Sequence, residues 1–139
     1  MAKLLGMYKN GNYFVEIYND GTKVRMTNDD EFKPEFPESI DCTITTFCDN
    51  GCKECYLNCT IDGVHADLLS DDVIKIIDSI HPFTELALNG NDLSHPDLIP
   101  FLNLLKERNI IANITVNQNH FEKHIDYIRK LVSDSLVYG

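Results

Sequence analysis

The chain has 139 residues, a length that suits one domain of ordinary size. Hydrophobic residues make up 43% and charged residues 24% of it, which is typical of a globular protein rather than a disordered one. There are 22 acidic and 12 basic residues, so the formal net charge is -10. This charge argues against binding to a nucleic-acid backbone, which requires a basic face.

The N-terminal sequence and the cysteine content predict the cellular compartment. The first residues contain no apolar core of a signal peptide, and no stretch reaches the ~18 apolar residues of a membrane span. The protein is therefore expected to be cytoplasmic, with no membrane partner. Cysteines stay reduced in that compartment, so the five in this chain are interpreted as thiols or metal ligands rather than disulfides.

Residues 1–37 are predicted to form a β-hairpin followed by a linker. The run at 13–18 is β-branched and aromatic, Asn-Asp-Gly at 19–21 is a turn signal, and 23–26 is the returning strand. The stretch at 27–37 is polar and contains prolines, which is typical of a linker.

Residues 38–139 are predicted to form an α/β domain in which strands alternate with helices. The predicted elements are a strand at 39–45, a helix with Ser70 as its N-cap, a strand at 85–88, a helix at 96–108, a strand at 110–116, a helix at 120–133 and the start of a fourth strand at 135–138. This alternation predicts parallel strands joined by right-handed crossovers, and their apolar runs predict burial on both faces. Chemistry in such folds gathers at the carboxyl ends of the strands.

A cysteine-rich loop follows the first of these strands. Cys48, Cys52 and Cys55 form a C-x3-C-x2-C motif, and Gly51 lets the loop turn tightly. Thiolates in such a group bind soft metals and iron–sulfur clusters. Three cluster ligands rather than four would leave one iron free to bind a small molecule.

The segment from Cys48 to Tyr56 resembles the signature loop of radical S-adenosylmethionine (radical SAM) enzymes, in the form found in members that modify peptides and proteins. The resemblance implies that Cys48, Cys52 and Cys55 hold a 4Fe–4S cluster whose fourth iron chelates SAM. An electron from the cluster would cleave SAM to a 5′-deoxyadenosyl radical, which abstracts hydrogen from the substrate. The resemblance therefore implies an electron donor protein and favours a peptide or protein substrate, without assigning a catalytic residue.

Residues 85–97 resemble a second segment of the same family, in which a Gly-Gly-Glu motif contacts the amino group of SAM and His-Pro-Asp follows. The triplet here is Asn-Gly-Asn at 89–91, so an amide replaces the carboxylate and the neighbouring acid is a candidate substitute. The residues expected to contact SAM are Tyr56, Asn89, Gly90, Asn91, Asp92 and Asn117. A plain turn role is the alternative for Asn117.

Two other interpretations of the cysteines remain open. Cys59 extends the motif to four thiols, which is a complete ligand set for structural zinc, or it is an ordinary loop thiol. The zinc interpretation makes the protein a non-catalytic binding or partner module. Cys42 is expected to be a buried thiol, and the five histidines are expected at caps or on the surface.

The resemblance implies a partial (β/α) barrel of the radical SAM type, but the chain is short for one. An eight-unit barrel needs ~250 residues, so the six units of this family need roughly 190. The chain holds three strand–helix units and the start of a fourth strand. The expected explanations are a missing C-terminal half, a partner chain that completes the barrel, or a relative that has lost catalysis and binds peptide.

Overall fold

Two three-stranded sheets and four α-helices make up the fold in the computed structural model, which describes residues 1–139. The first sheet is antiparallel and its strands are β1 (Leu4–Asn10), β2 (Tyr13–Tyr18) and β3 (Lys23–Met26). The second sheet is parallel and its strands are β4 (Ser39–Thr43), β5 (Glu85–Asn89) and β6 (Ile111–Asn113), with β5 in the centre.

The helices follow the strands of the parallel sheet. They are α1 (Asp71–Ser79) between β4 and β5, a 3₁₀ helix (Asp92–Ser94) and α2 (Leu98–Glu107) between β5 and β6, and α3 (Gln118–Lys123) and α4 (Ile125–Ser133) after β6. The predicted cap of the first helix is confirmed, because the Ser70 hydroxyl accepts a hydrogen bond from the Val73 amide at 3.3 Å. None of these helices has the length and apolar character needed to cross a bilayer.

The main hydrophobic core lies on one face of the parallel sheet. Leu86 and Leu88 of β5 are buried there against Phe101 of α2 and Leu131 of α4. Along β4 the alternate residues Ser39, Asp41 and Thr43 are exposed instead. The prediction that the parallel strands are buried on both faces is therefore wrong for this edge strand.

The prediction of a partial (β/α) barrel is also wrong. The parallel sheet has three strands and does not close into a barrel, and residues 135–138 form no fourth strand. Ser135 adopts a positive φ of 54° after α4, and the next two side chains, Leu136 and Val137, are buried in the core. Only two backbone hydrogen bonds, Tyr138 to Ala112 and Ile114 to Gly139, join this segment to the chain around β6, which is too few for a strand ladder.

The helix predicted at 120–133 is two helices in the structure. His124 lies between α3 and α4 with φ -119° and ψ 26°, outside helical geometry. It ends α3 and precedes α4, so the two helices are separate elements. The apolar stripe continues through both helices, which is why its spacing did not reveal the break.

The predicted hairpin is confirmed by the antiparallel pairing of β2 with β3. Residues 4–10 add a strand, β1, that the sequence pattern did not predict. This sheet packs at the amino ends of the parallel strands, where Lys23 of β3 pairs with Glu85 at 3.3 Å and Phe83 packs against Tyr8, Tyr13 and Val15. The carboxyl ends of the parallel strands are left free on the opposite edge.

Candidate functional site

A cavity of about 270 Å³ lies at the carboxyl edge of the parallel sheet. Segments that follow all three parallel strands meet in it. Its lining includes the cysteines Cys48, Cys52, Cys55 and Cys59, with Gly90, Asn91, Thr115, Asn117 and His120. The structure therefore brings the three predicted cluster ligands together with four of the six residues predicted to contact SAM, Tyr56, Gly90, Asn91 and Asn117.

The cysteine loop is held to the fold by its own backbone. The Cys48 amide donates to the Thr60 carbonyl at 2.9 Å, and the Thr60 amide donates to the Thr46 carbonyl at 3.0 Å. Gly63 passes so close to this strand-like segment that a Cβ there would overlap the Thr46 carbonyl. The loop is thus a defined backbone structure that presents its cysteines to the cavity.

The sulfur atoms of the three predicted ligands all accept hydrogen bonds from nitrogen donors. The Asn50 backbone amide lies 3.5 Å from Cys48 Sγ, and the Asn50 side-chain amide lies 2.9 Å from Cys52 Sγ. The Cys59 amide lies 3.4 Å from Cys55 Sγ. Hydrogen bonds to sulfur are a normal feature of iron–sulfur sites and stabilise the thiolate, so this donor set fits a cluster.

Cys55 and Cys59 lie side by side in opposite electrostatic environments. Backbone hydrogen bonds from Cys59 and Leu57 lower the pKa of Cys55, which favours its thiolate. Burial, together with the hydrogen bond to Cys55, raises the pKa of Cys59 to about 11. Cys59 is therefore a neutral thiol beside the Cys55 sulfur in the metal-free chain.

Four of the six residues predicted to contact SAM line the cavity, and Asn89 and Asp92 do not. Gly90, Asn91 and Asn117 line the cavity, and the Asn117 side-chain amide lies 3.9 Å from Cys52 Sγ. Tyr56 lines the cavity as well, is 74% exposed, and donates from its hydroxyl to the Asn89 side-chain oxygen at 3.1 Å. This bond joins the cysteine loop to the end of β5.

Asp92 lies beneath the cavity rather than in its lining. Its side chain has no exposed surface, and its Oδ2 accepts a hydrogen bond from the Thr115 amide at 2.8 Å. Its Oδ1 has no partner. Burial raises the pKa of Asp92 to about 7. Asp92 thus joins the chain after β5 to the chain after β6, and its direct contact with SAM stays a prediction.

A second set of contacts joins the cysteine loop to α3, and the sequence pattern did not predict it. His120 is 8% exposed, and its Nε2 lies 2.9 Å from Asp49 Oδ1. The Asn119 side-chain amide donates to Asn50 Oδ1 at 3.1 Å. His120 was expected at a cap or on the surface, and the partners are about 70 positions apart in the chain, so spacing alone could not pair them. The one available signal was the position of 117–119 directly after the last parallel strand.

Comparison with known proteins supplies no relative for this chain. No family model, no curated protein and no solved structure matches it. The functional argument therefore depends on the residues of the site.

Proposed function

We propose that the protein binds a 4Fe–4S cluster through Cys48, Cys52 and Cys55 and binds SAM at the remaining iron, as radical SAM enzymes do. The observation that carries the proposal is the meeting of these three cysteines with Gly90, Asn91 and Asn117 in one cavity. The bound cluster would supply the electron that cleaves SAM to a 5′-deoxyadenosyl radical for hydrogen abstraction. A peptide or protein is the favoured substrate class, and an electron donor protein is a required partner.

The sulfur environment supports the cluster part of the proposal. Each of the three sulfurs accepts an N–H hydrogen bond, and each belongs to the same eight-residue segment. The loop that carries them is braced by its own backbone hydrogen bonds. Such a loop presents thiolates without a large rearrangement, which favours a multi-iron centre.

The cavity beside the cysteines supports the SAM part of the proposal. Gly90 has a φ of 120° and no side chain, so the backbone after β5 can approach a ligand closely. Asn91 and Asn117 present amide groups that hydrogen-bond to ammonium, carboxylate or ribose groups. The amide of Asn91 accepts from an ammonium without the charge assistance of a carboxylate, so weak SAM binding is expected.

Anaerobic reconstitution of the chain with iron and sulfide tests the cluster. The expected product is brown and contains about four irons per chain, because three thiolates hold a four-iron centre. Cys52→Ala should abolish the absorption band. Cys59→Ala is the matched control, since this neighbouring thiol lines the same cavity and is expected to be dispensable.

Two results would contradict the proposal. Stoichiometric zinc without iron, lost in Cys59→Ala, would indicate a four-thiolate zinc site. An unchanged cluster band in Cys52→Ala would contradict the ligand assignment. Addition of SAM and a reductant to the reconstituted chain should release 5′-deoxyadenosine, and a cluster that gives none would remove the enzymatic part of the proposal.

A further inference from the structure

A mixed group of metal-binding side chains lies at one side of the cavity. Cys48, Asp49 and His120 place one sulfur, one carboxylate oxygen and one imidazole nitrogen within 4.8 Å of one another. His120 is 8% exposed, while Asp49 is exposed and Cys48 is half-buried. The group therefore has one buried ligand, His120, one half-buried ligand, Cys48, and one solvent-exposed ligand, Asp49.

We propose that Cys48, Asp49 and His120 form a binding site for a single zinc ion, which shares the Cys48 ligand with the cluster site. Thiolate, imidazole and carboxylate are the three ligand types that zinc takes from proteins. Ligand atoms bound to one zinc at about 2.0–2.3 Å lie roughly 3–4 Å apart. The 2.9 Å between His120 Nε2 and Asp49 Oδ1 is close to that separation, so the ion would replace the proton that these atoms share. Three protein ligands leave the fourth position to water or a substrate atom.

The surroundings of the group hold its ligands in place. The Asn119 amide donates to Asn50 Oδ1 at 3.1 Å, which joins the residue before His120 to the residue after Asp49. The Asn117 side chain accepts from the Asn119 amide at 2.9 Å and fixes the start of α3. The bond from Asn119 to Asn50 keeps the loop and α3 together, although the two residues are widely separated in the chain. An ion at this site would therefore link the two segments directly.

The zinc site goes beyond the proposed function and does not depend on it. Asp49 and His120 have no part in cluster ligation, whereas Cys48 belongs to both ligand sets. One Cys48 thiolate cannot serve as terminal ligand to both centres at once, so zinc binding and cluster assembly should exclude each other. Zinc would then act as an inhibitor of cluster loading in the same cavity.

Cobalt(II), a spectroscopic substitute for zinc, tests the site in a variant that cannot form the cluster. The variant carries three substitutions, Cys52→Ser, Cys55→Ser and Cys59→Ser. Its only remaining thiol in the cavity lining is Cys48. Anaerobic titration of this metal-free variant should show one cobalt per chain, with a sulfur-to-cobalt charge-transfer band. Adding His120→Ala or Asp49→Asn should weaken binding ~10-fold or more, since loss of even an outer partner of a metal ligand has an effect of that size.

Matched controls come from the same segments. His124→Ala and Asp62→Asn change a histidine and an acid outside the group and should leave cobalt binding unchanged. Far-ultraviolet circular dichroism checks folding, and the exposed Asp49→Asn change provides the test if His120→Ala unfolds the chain. Absence of the charge-transfer band would overturn the zinc site. Cobalt affinity that is unchanged from the triple-serine variant when His120→Ala or Asp49→Asn is added would also overturn it. Failure of cluster reconstitution in the wild-type chain would leave this result untouched.

Discussion

Asp92 is the only fully buried carboxyl group in the chain. It accepts one hydrogen bond, from the Thr115 amide, and its second oxygen has no partner. Burial favours the neutral form, which is why its pKa rises from 3.8 to about 7. Near neutral pH the group beneath the cavity therefore exchanges between a neutral acid and a buried charge.

The raised pKa of Asp92 predicts a pH dependence of stability. Between pH 4 and pH 7 the folded state keeps a proton that the unfolded state has lost, so the free energy of unfolding falls as pH rises. The fall is at most about 1.4 kcal/mol per pH unit. Above pH 7 both states are ionised and the dependence ends. The free energy of unfolding should be measured with denaturant for the wild-type chain and Asp92→Asn across this pH range. As pH rises, the wild-type value should fall relative to that of the variant. A difference that does not vary with pH would contradict the assignment.

Individual residues show how far the sequence alone predicts this site. The three cysteines of the motif line one cavity with Gly90 and Asn91 of the Asn-Gly-Asn triplet, while their roles as ligands and SAM contacts stay predictions. The burial of Asp92 beneath the cavity was not predictable from the sequence. A shift of one residue along a turn changes whether a side chain enters a cavity or lies beneath it. His120 was missed because its partner, Asp49, is brought to it only by tertiary packing.

The turn after β5 places Gly90 against the chain after β4. Gly90 has a φ of 120°, and a Cβ there would overlap the Thr45 carbonyl oxygen. Both features disfavour any other residue at this position. The turn therefore depends on glycine to bring the cavity lining of two neighbouring strands together.

Gly90→Ala should destabilise the protein more than Gly21→Ala. Gly21 also has a positive φ, 86°, but no atom lies within 4 Å of its missing Cβ. Alanine at 21 carries only the backbone penalty, about 1 kcal/mol, while alanine at 90 adds a clash with backbone, and we expect a total of about 2–4 kcal/mol. Thermal unfolding of the two variants provides the comparison. Equal losses of stability would show that the Thr45 contact is unimportant.

Elements with strong local signals were predictable, and those set by packing were not. Ser70 and the two acids after it marked the start of α1 correctly. The sequence of β1 does not alternate cleanly between polar and apolar residues, so it gave no strand signal, and pairing with β2 determines its structure. The predicted fourth strand had a suitable composition, but burial of Leu136 and Val137 in the core competes with strand pairing.

The two sheets meet through a close fit between one glycine and one aromatic ring. The ring of Phe83 lies where a side chain at Gly6 would be, with ring atoms 2.5 Å from an ideal Cβ position. Phe83 itself has a positive φ of 68°, which is strained for a bulky residue, and its amide donates to the Asn109 carbonyl at 2.7 Å. The fit joins the N-terminal sheet to the start of β5.

A double-mutant cycle on Gly6 and Phe83 should show strong coupling between the sheets. Gly6→Ala alone should lower the free energy of unfolding by about 1–3 kcal/mol, because it displaces the ring. Phe83→Ala alone should lower it by about 2 kcal/mol, less than for a fully buried phenylalanine. In the Phe83→Ala background, Gly6→Ala should have little further effect. Additive losses would mean that the ring and the glycine do not interact.

The architecture of the whole molecule was predictable only in part. Strand–helix alternation correctly indicated a parallel sheet, because its local signals repeat along the chain. The barrel was wrong, since closure depends on long-range pairing and on apolar residues on both faces. Polar residues alternate along β4 at Ser39, Asp41 and Thr43, and all three are exposed. This pattern argues against a strand that is buried on both faces in a barrel.

The hydrogen bonds inside the cysteine loop affect how tightly any metal is held. Ordering a residue costs roughly 1–2 kcal/mol in conformational entropy. In small metal domains that fold only when the ion binds, this cost for each ordered residue reduces the observed metal affinity. Here the bonds from Cys48 to Thr60 and from Thr60 to Thr46 join backbone groups and do not involve the cysteine sulfurs that would bind a metal. We expect these bonds to preorganise the loop, so that most of the metal–ligand energy contributes directly to affinity. We therefore expect the protein to keep its native fold after its metal is removed, unlike domains that are unfolded without metal.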